Sequence, residues 1–142
     1  MRRAVTLASF VFVPGLASPQ QVVLDGVRAP AFAADGRLAI SAAGDLWVLE
    51  PDGTGGFTAA RQLTADGAWD RDPAWTRDGR ALVFASDRDG TFDLWRIEVA
   101  AGDAPPQRLT ESDDHDVEPN VGPDGTIVFA RGRGGDSDLW TR

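Results

Sequence analysis

Side chains that could perform hydrolytic chemistry are sparse in this sequence. His115 is the only histidine, and there is no cysteine. No Gly-x-Ser-x-Gly segment is present to place a serine nucleophile on a strained turn. A Ser-His-Asp arrangement would therefore have to use His115, which stands in the acidic segment 111–118. We assign no catalytic residue in this chain, and thiolate or histidine-rich metal sites are excluded by composition.

Three aspartates around one glycine are the most plausible metal ligands. Asp87, Asp89 and Asp93 flank Gly90, a spacing that could gather carboxylate and carbonyl oxygens for Ca²⁺. The EF-hand pattern is not met, because no glutamate stands at its twelfth position. The alternative is a hairpin turn whose aspartates cap backbone N–H groups. We predict the turn and no metal or cofactor, with calcium as the alternative.

Acidic residues recur just before two prolines that begin repeated segments. If the preceding stretches are loops between sheets, these side chains should lie on one face near the centre of the molecule. Such an acidic rim would bind basic peptides or be simply solvated. The predicted rim consists of Asp70, Asp72, His115, Asp116 and Glu118.

A repeated segment must position all of these residues. The best copy runs from Pro73 to Trp95, and its relatives begin at Pro30 and Pro119, which are 43 and 46 residues away. Repeats of this period indicate an array of one supersecondary unit. Each copy contains an Asp-Gly pair that predicts a turn. Further along, each copy has an Asp-Leu-Trp segment that supplies one tryptophan. These structural positions are Asp35, Gly36, Trp47, Asp78, Gly79, Trp95, Asp124, Gly125 and Trp140.

Each unit reads as short strands joined by hairpin turns. The second strands, such as 82–85 and 127–130, are wholly apolar, which is typical of sheets covered on both faces. No segment has sustained helical periodicity. The sequence predicts an all-β fold of four-stranded antiparallel β-propeller blades beginning at residues 30, 73 and 119. About two and a half blades are present, since the last lacks its fourth strand, so the propeller is predicted to be incomplete. We expect each tryptophan to pack between blades, under the blade that follows.

The run of Pro-x-aromatic, Asp-Gly-Arg, Ser-Asp-Arg-Asp-Gly, Asp-Leu-Trp and Arg-Leu-Thr resembles the TolB-type propeller repeat, over residues 30–142. The resemblance implies a non-catalytic module that binds a protein or peptide partner. The alternative is the N-terminal accessory propeller of a secreted hydrolase, an amidohydrolase or a prolyl-oligopeptidase-type peptidase, whose catalytic domain is not in this chain.

The N-terminus has the layout of a secretory signal peptide. Arg2 and Arg3 precede the apolar run 4–13, and small residues follow Pro14, so residues 1–17 are predicted to be removed. The alternative to a signal peptide is an N-terminal strand of the array. Residues 18–29 are predicted to form a lead-in strand before the first blade. An exported chain would be periplasmic or secreted, and we expect no membrane insertion after the signal peptide is cleaved. A net charge of -8 argues against nucleic acid as a partner, whereas further blades or self-association are expected partners.

Overall fold

The structure, a computed structural model, describes the backbone of residues 9–11 and 20–22 and the complete residues 26–100 and 104–142. The described parts are strands and turns without a helix, as the repeat pattern predicted. They form four antiparallel sheets, three of which are blades. The described ranges contain no helix of the length and hydropathy needed to cross a membrane.

A short hairpin precedes the blades. Strands β1 (Ser9–Val11) and β2 (Gln20–Val22) pair antiparallel, and β1 lies beside a strand of the first blade, β6. The rest of the N-terminal segment lies outside the described residues. The signal peptide at 1–17 therefore stays a prediction.

The first two blades have the same up-and-down order of four strands. The first contains β3 (Arg28–Phe32), β4 (Leu38–Ala42), β5 (Asp45–Pro51) and β6 (Phe57–Gln62). The second contains β7 (Asp70–Trp75), β8 (Ala81–Ser86), β9 (Asp93–Glu98) and β10 (Gln107–Arg108).

The third blade has three strands in the described part of the chain. These are β11 (His115–Val121), β12 (Ile127–Arg133) and β13 (Asp136–Thr141). The inner strands β3, β7 and β11 lie side by side, so the sheets radiate from a common centre without closing a ring. The predicted all-β fold of propeller blades is confirmed, and the described blades do not close a ring.

The inner strands begin before the prolines that were expected to start them. β7 starts at Asp70 and β11 at His115, so the residues assigned to loops are strand residues. Main-chain bonds hold these starts to the preceding blade, because the N–H of Asp70 donates to Gly44 O at 2.7 Å and that of Asp116 to Phe92 O at 2.7 Å.

Two separate cores cover the two faces of the second blade. Phe84 and Trp95 pair across β8 and β9 and join the core shared with the first blade. Leu94 precedes Trp95 and therefore points to the opposite face, where it packs with Phe129 of the third blade. The prediction that the following blade covers Trp95 is wrong, because residue alternation along β9 turns the indole toward the preceding blade.

The Asp-Gly turns join the first and second strands of each blade. Gly79 has φ +66°, a left-handed conformation that glycine adopts without a Cβ penalty. Its carbonyl accepts a 2.6 Å hydrogen bond from the Arg37 guanidinium of the neighbouring turn. Hydrogen bonds donated to the turn aspartates lower the pKa of each: from the Arg37 side chain to Asp35, from the Thr76 hydroxyl to Asp78 and from the Thr126 N–H to Asp124.

Candidate functional site

A groove of about 640 Å³ lies where the three inner strands meet. Each inner strand has an irregularity at the same place, directly before its proline. The bulged residues are Ala29, Asp72 and Glu118, whose φ angles are 48°, 53° and 54°. All three line the groove. Left-handed backbone at a residue other than glycine costs about 1–2 kcal/mol. The same left-handed residue stands before a proline in all three blades, so it is a regular feature of the inner strands.

Only two of the predicted rim acids face this groove. Asp72 is half-buried, and its carboxylate accepts a 2.7 Å hydrogen bond from Arg71 Nε. Glu118 is exposed and makes no ion pair among the described residues. These two carboxylates, with the apolar edges of Pro30, Pro73 and Pro119, form a mixed surface that is negative overall.

The other two acids are not part of an exposed rim. Asp70 and Asp116 are fully buried, which contradicts their predicted placement. Asp70 binds Arg88 Nη2 through both oxygens, at 3.0 and 3.1 Å. Asp116 binds Arg131 in the same blade, and this hydrogen bonding raises the pKa of Arg131 above its ordinary value. A buried carboxylate needs such a partner, so both residues serve the fold.

His115 joins the second and third blades. Its Nδ1 accepts a 3.2 Å hydrogen bond from the N–H of Phe92, and its ring lies edge-on to the Phe92 ring at 5.7 Å. The side chain remains exposed. These two contacts make the histidine a bridge from the start of β11 to the hairpin between β8 and β9.

The three candidate calcium ligands are directed to other partners. Asp87 accepts a 2.7 Å hydrogen bond from the Trp69 N–H, which caps the start of β7. Asp93 is fully buried against Arg108, at 2.6 Å, and Asp89 lies 3.4 Å from the same arginine. Among the described residues, no group of three or more metal-ligating side chains is assembled.

A second groove, of about 380 Å³, was not anticipated from the sequence. Its wall is the Trp69 side chain, which is 55% exposed and packs over Gly44. Arg28 and Arg71 line the same groove. The sequence signal that could have pointed to this groove is a tryptophan directly before a strand, since Trp69 precedes β7.

A family model described as the TolB beta propeller domain matches residues 8–141. The chain belongs to the TolB β-propeller domain family. The match includes all three blades and confirms the resemblance carried by the repeated motifs. No curated protein matches the sequence significantly.

Solved structures share the fold at low sequence identity. TolB from Acinetobacter baumannii is 23% identical with a TM-score of 0.63, over 84% of this chain and 30% of that one. A puromycin-hydrolysing peptidase from Mycobacterium tuberculosis is 19% identical with a TM-score of 0.68, over 86% of this chain and 22% of that one. The tricorn protease is 16% identical with a TM-score of 0.55, over 83% of this chain and 11% of that one.

The chain thus spans less than a third of these similar proteins. At these identities the likeness establishes the propeller fold. This TolB-family propeller module has counterparts both in a TolB protein and within peptidases.

Proposed function

We propose that this propeller is a non-catalytic module that binds a protein or peptide through the groove at the centre of its inner strands. The observation that carries the proposal is the threefold recurrence of a left-handed bulge at Ala29, Asp72 and Glu118. Each bulge interrupts regular strand pairing at the groove. Bulges often mark positions where a sheet re-aims side chains or ends its pairing at a functional surface.

The preferred partner is a basic, extended segment. Glu118 is exposed without an ion pair among the described residues, and Asp72 shares its carboxylate with Arg71 alone. The whole chain has a net charge of -8, which would increase the encounter rate with a cationic peptide. Proline rings beside these carboxylates offer apolar surface to the stems of arginine or lysine side chains.

The test is fluorescence anisotropy with a labelled Gly-Arg repeat peptide. The double substitution Asp72→Asn and Glu118→Gln should weaken binding about three- to tenfold, as expected for two charge contacts in a solvent-filled groove. Its matched control is Glu50→Gln with Asp113→Asn, which removes two exposed charges away from the groove. Equal affinities of the two double variants, or equal binding of a Gly-Glu repeat peptide, would refute the proposal.

A second candidate function is the accessory propeller of a secreted hydrolase. It is favoured by the TM-score of 0.68 with the puromycin-hydrolysing peptidase, a protein much longer than this match. In this case the module would shape access to a catalytic domain elsewhere in a longer protein. Sequencing of the surrounding reading frame tests it: a Gly-x-Ser-x-Gly or His-x-His motif beyond residue 142 would support it, and further propeller repeats alone would not.

We also propose export to the periplasm or the medium. The proposal depends on the charged, apolar and small-residue order of residues 1–17. Mass spectrometry of the protein from a bacterial host should find an N-terminus at Ser18 in the exported fraction. A cytoplasmic product that retains Met1 would contradict it.

A further inference from the structure

The groove beside Trp69 owes its space to a short turn in the first blade. The turn between β4 and β5 consists of Ala43 and Gly44, whereas the turn between β8 and β9 covers residues 87–92. Gly44 O and Phe92 O accept equivalent 2.7 Å hydrogen bonds from the inner strand of the following blade. Glycine therefore stands where the second blade has a phenylalanine, so no ring fills this part of the junction.

The corresponding groove between the second and third blades differs in size and charge. It measures about 280 Å³, compared with about 380 Å³ beside Trp69. Phe92 lines it, and Val117 stands two residues before a proline, at the position that Arg71 has in the second blade. Of the two junctions that the structure describes, the one between the first two blades thus has the larger groove and the second arginine.

Trp69 is anchored while its ring remains open to solvent. Its N–H donates to Asp87 Oδ1 at 2.7 Å, and its ring packs over Gly44. The side chain nevertheless stays exposed and lines the groove. An indole held in this way is a flat apolar surface on which an aromatic ring can stack.

Arg71 presents a guanidinium that two contacts orient. Its Nε donates to Asp72 at 2.7 Å, and its Cζ lies 5.4 Å from the Phe92 ring centre. Neither of its Nη groups donates a hydrogen bond to a described residue. Arg28 has the equivalent position in β3, two residues before a proline, and lines the same groove. The groove therefore offers guanidinium donors beside an aromatic wall.

The charge of the groove favours a monoanion. Arg28, Arg71 and Asp72 give its described lining one net positive charge, in a chain whose net charge is -8. A phosphate monoester carries a charge of about −1.5 to −2 at pH 7, so the Asp72 carboxylate would repel it more strongly. A carboxylate carries a single charge, and its two oxygens match a guanidinium fork.

We propose that this groove binds a small aromatic carboxylate, with the ring against Trp69 and the carboxylate on Arg71 and Arg28. Its volume of about 380 Å³ lies within the range of small-molecule clefts, about 300–1,000 Å³. The groove adjoins the central groove, with which it shares Ala29 and Asp72. Binding of the carboxylate does not depend on peptide binding at the central groove.

The experiment follows the indole N–H resonances of the isotope-labelled full chain during titration with phenylacetate. The resonance of Trp69 is identified by its absence from the spectrum of Trp69→Phe. We expect this resonance to shift saturably with a dissociation constant of about 1 mM, a value typical of a ligand with so few atoms. Phenylacetamide, the neutral isostere, should bind about tenfold more weakly because it lacks the charge that the arginines contact.

Substitutions of the lining residues locate the carboxylate. Arg71→Gln should weaken phenylacetate binding about tenfold and Arg28→Gln about threefold, because each removes a charged donor. The matched control Arg80→Gln removes an exposed arginine outside the groove and should leave the dissociation constant unchanged. Asp72→Asn should strengthen binding about threefold, because Arg71 loses a competing carboxylate. The same change should weaken binding of a basic peptide to the central groove, so the two proposals fail separately.

Four results would overturn the proposal. One is a Trp69 resonance that does not move in about 20 mM phenylacetate, where a millimolar site would be nearly saturated. Another is phenylacetamide binding as strong as that of phenylacetate. Phenyl phosphate that binds as tightly as phenylacetate would assign the groove to phosphate esters instead. The fourth is an equal dissociation constant for Arg71→Gln and Arg80→Gln; Arg28→Gln takes the place of Arg71→Gln if circular dichroism shows that variant to be unfolded.

Discussion

Asp116 and Arg131 face each other in register across β11 and β12 and form a two-pronged ion pair. Arg131 Nε lies 2.6 Å from Oδ1 of Asp116, and Nη2 lies 2.7 Å from Oδ2. The aspartate is fully buried, and the arginine also stacks 4.7 Å from the Trp140 ring centre. One arginine thus connects the buried start of an inner strand with the third strand of its blade.

Removal of this arginine should strongly destabilise the protein. Arg131→Ala leaves the Asp116 carboxylate buried without its partner, which typically costs about 3–5 kcal/mol. Urea unfolding measures the change. The control is Arg133→Ala, which removes a 3.4 Å pair with Asp114 whose side chains are 63% and 48% exposed, and should cost less than about 1 kcal/mol. Similar losses of unfolding free energy in the two variants would show that the buried pair contributes no more to stability than the exposed pair.

Substitutions at Gly79 should separate backbone strain from side-chain size. The residue has φ +66°, and a Cβ there would lie 3.0 Å from an Arg37 guanidinium nitrogen. Gly79→Val should lower the free energy of unfolding by about 2 kcal/mol or more, because a β-branched residue resists this conformation. Gly79→Asn should lose less, since asparagine tolerates left-handed backbone. Thermal melts that rank Asn at or below Val would contradict the turn assignment.

Replacement of the partly buried Asp45 by asparagine should stabilise the protein at neutral pH. Burial, followed by the charge of Asp70, raises the pKa of Asp45 above 3.8. The ionised form is therefore disfavoured in the folded state, and stability falls as pH rises from about 3.8 through the raised value. Asp45→Asn should unfold at a higher denaturant concentration at pH 7, by about a few tenths of a kcal/mol after solvent screening. The difference should vanish below pH 3.8, and a less stable variant at pH 7 would mean that the Gln62 hydrogen bond outweighs burial.

Trp75 links the first two blades through one hydrogen bond. Its indole N–H donates to Ala31 O at 3.0 Å, and the Arg37 guanidinium lies 4.6 Å from its ring centre. Trp75→Phe should cost about 1–2 kcal/mol, because the carbonyl loses its donor while a ring remains. Trp69→Phe is the matched control, since that side chain is 55% exposed, and its effect on urea unfolding should be near zero. A control loss as large as the Trp75 loss would count against the interblade bond.

The positions of the central acids were predictable from the sequence, but their exposure to solvent was not. Their recurrence before Pro73 and Pro119 predicted acidic residues near the centre, where the inner strands form the groove. Which of them face solvent was not predictable, because the bulge before each proline changes side-chain alternation within one strand. Asp70 and Asp116 consequently point into arginine pairs, while Asp72 and Glu118 line the groove.

Local sequence features were sufficient to predict the blade architecture. Asp-Gly turns, hairpin spacing and apolar second strands are local features, and each copy of the repeat supports the assignment of the others. Only the packed structure shows which arginine each buried aspartate contacts, which blade covers Trp95 and that Trp69 is exposed. The cover over Trp95 depends on contacts between blades more than 40 residues apart, of the kind that joins Trp75 to Ala31. The buried ion pairs depend on strands of one blade meeting in register, as β11 and β12 do at Asp116 and Arg131. Such contacts form only when the sheets pack, so no local pattern encodes them.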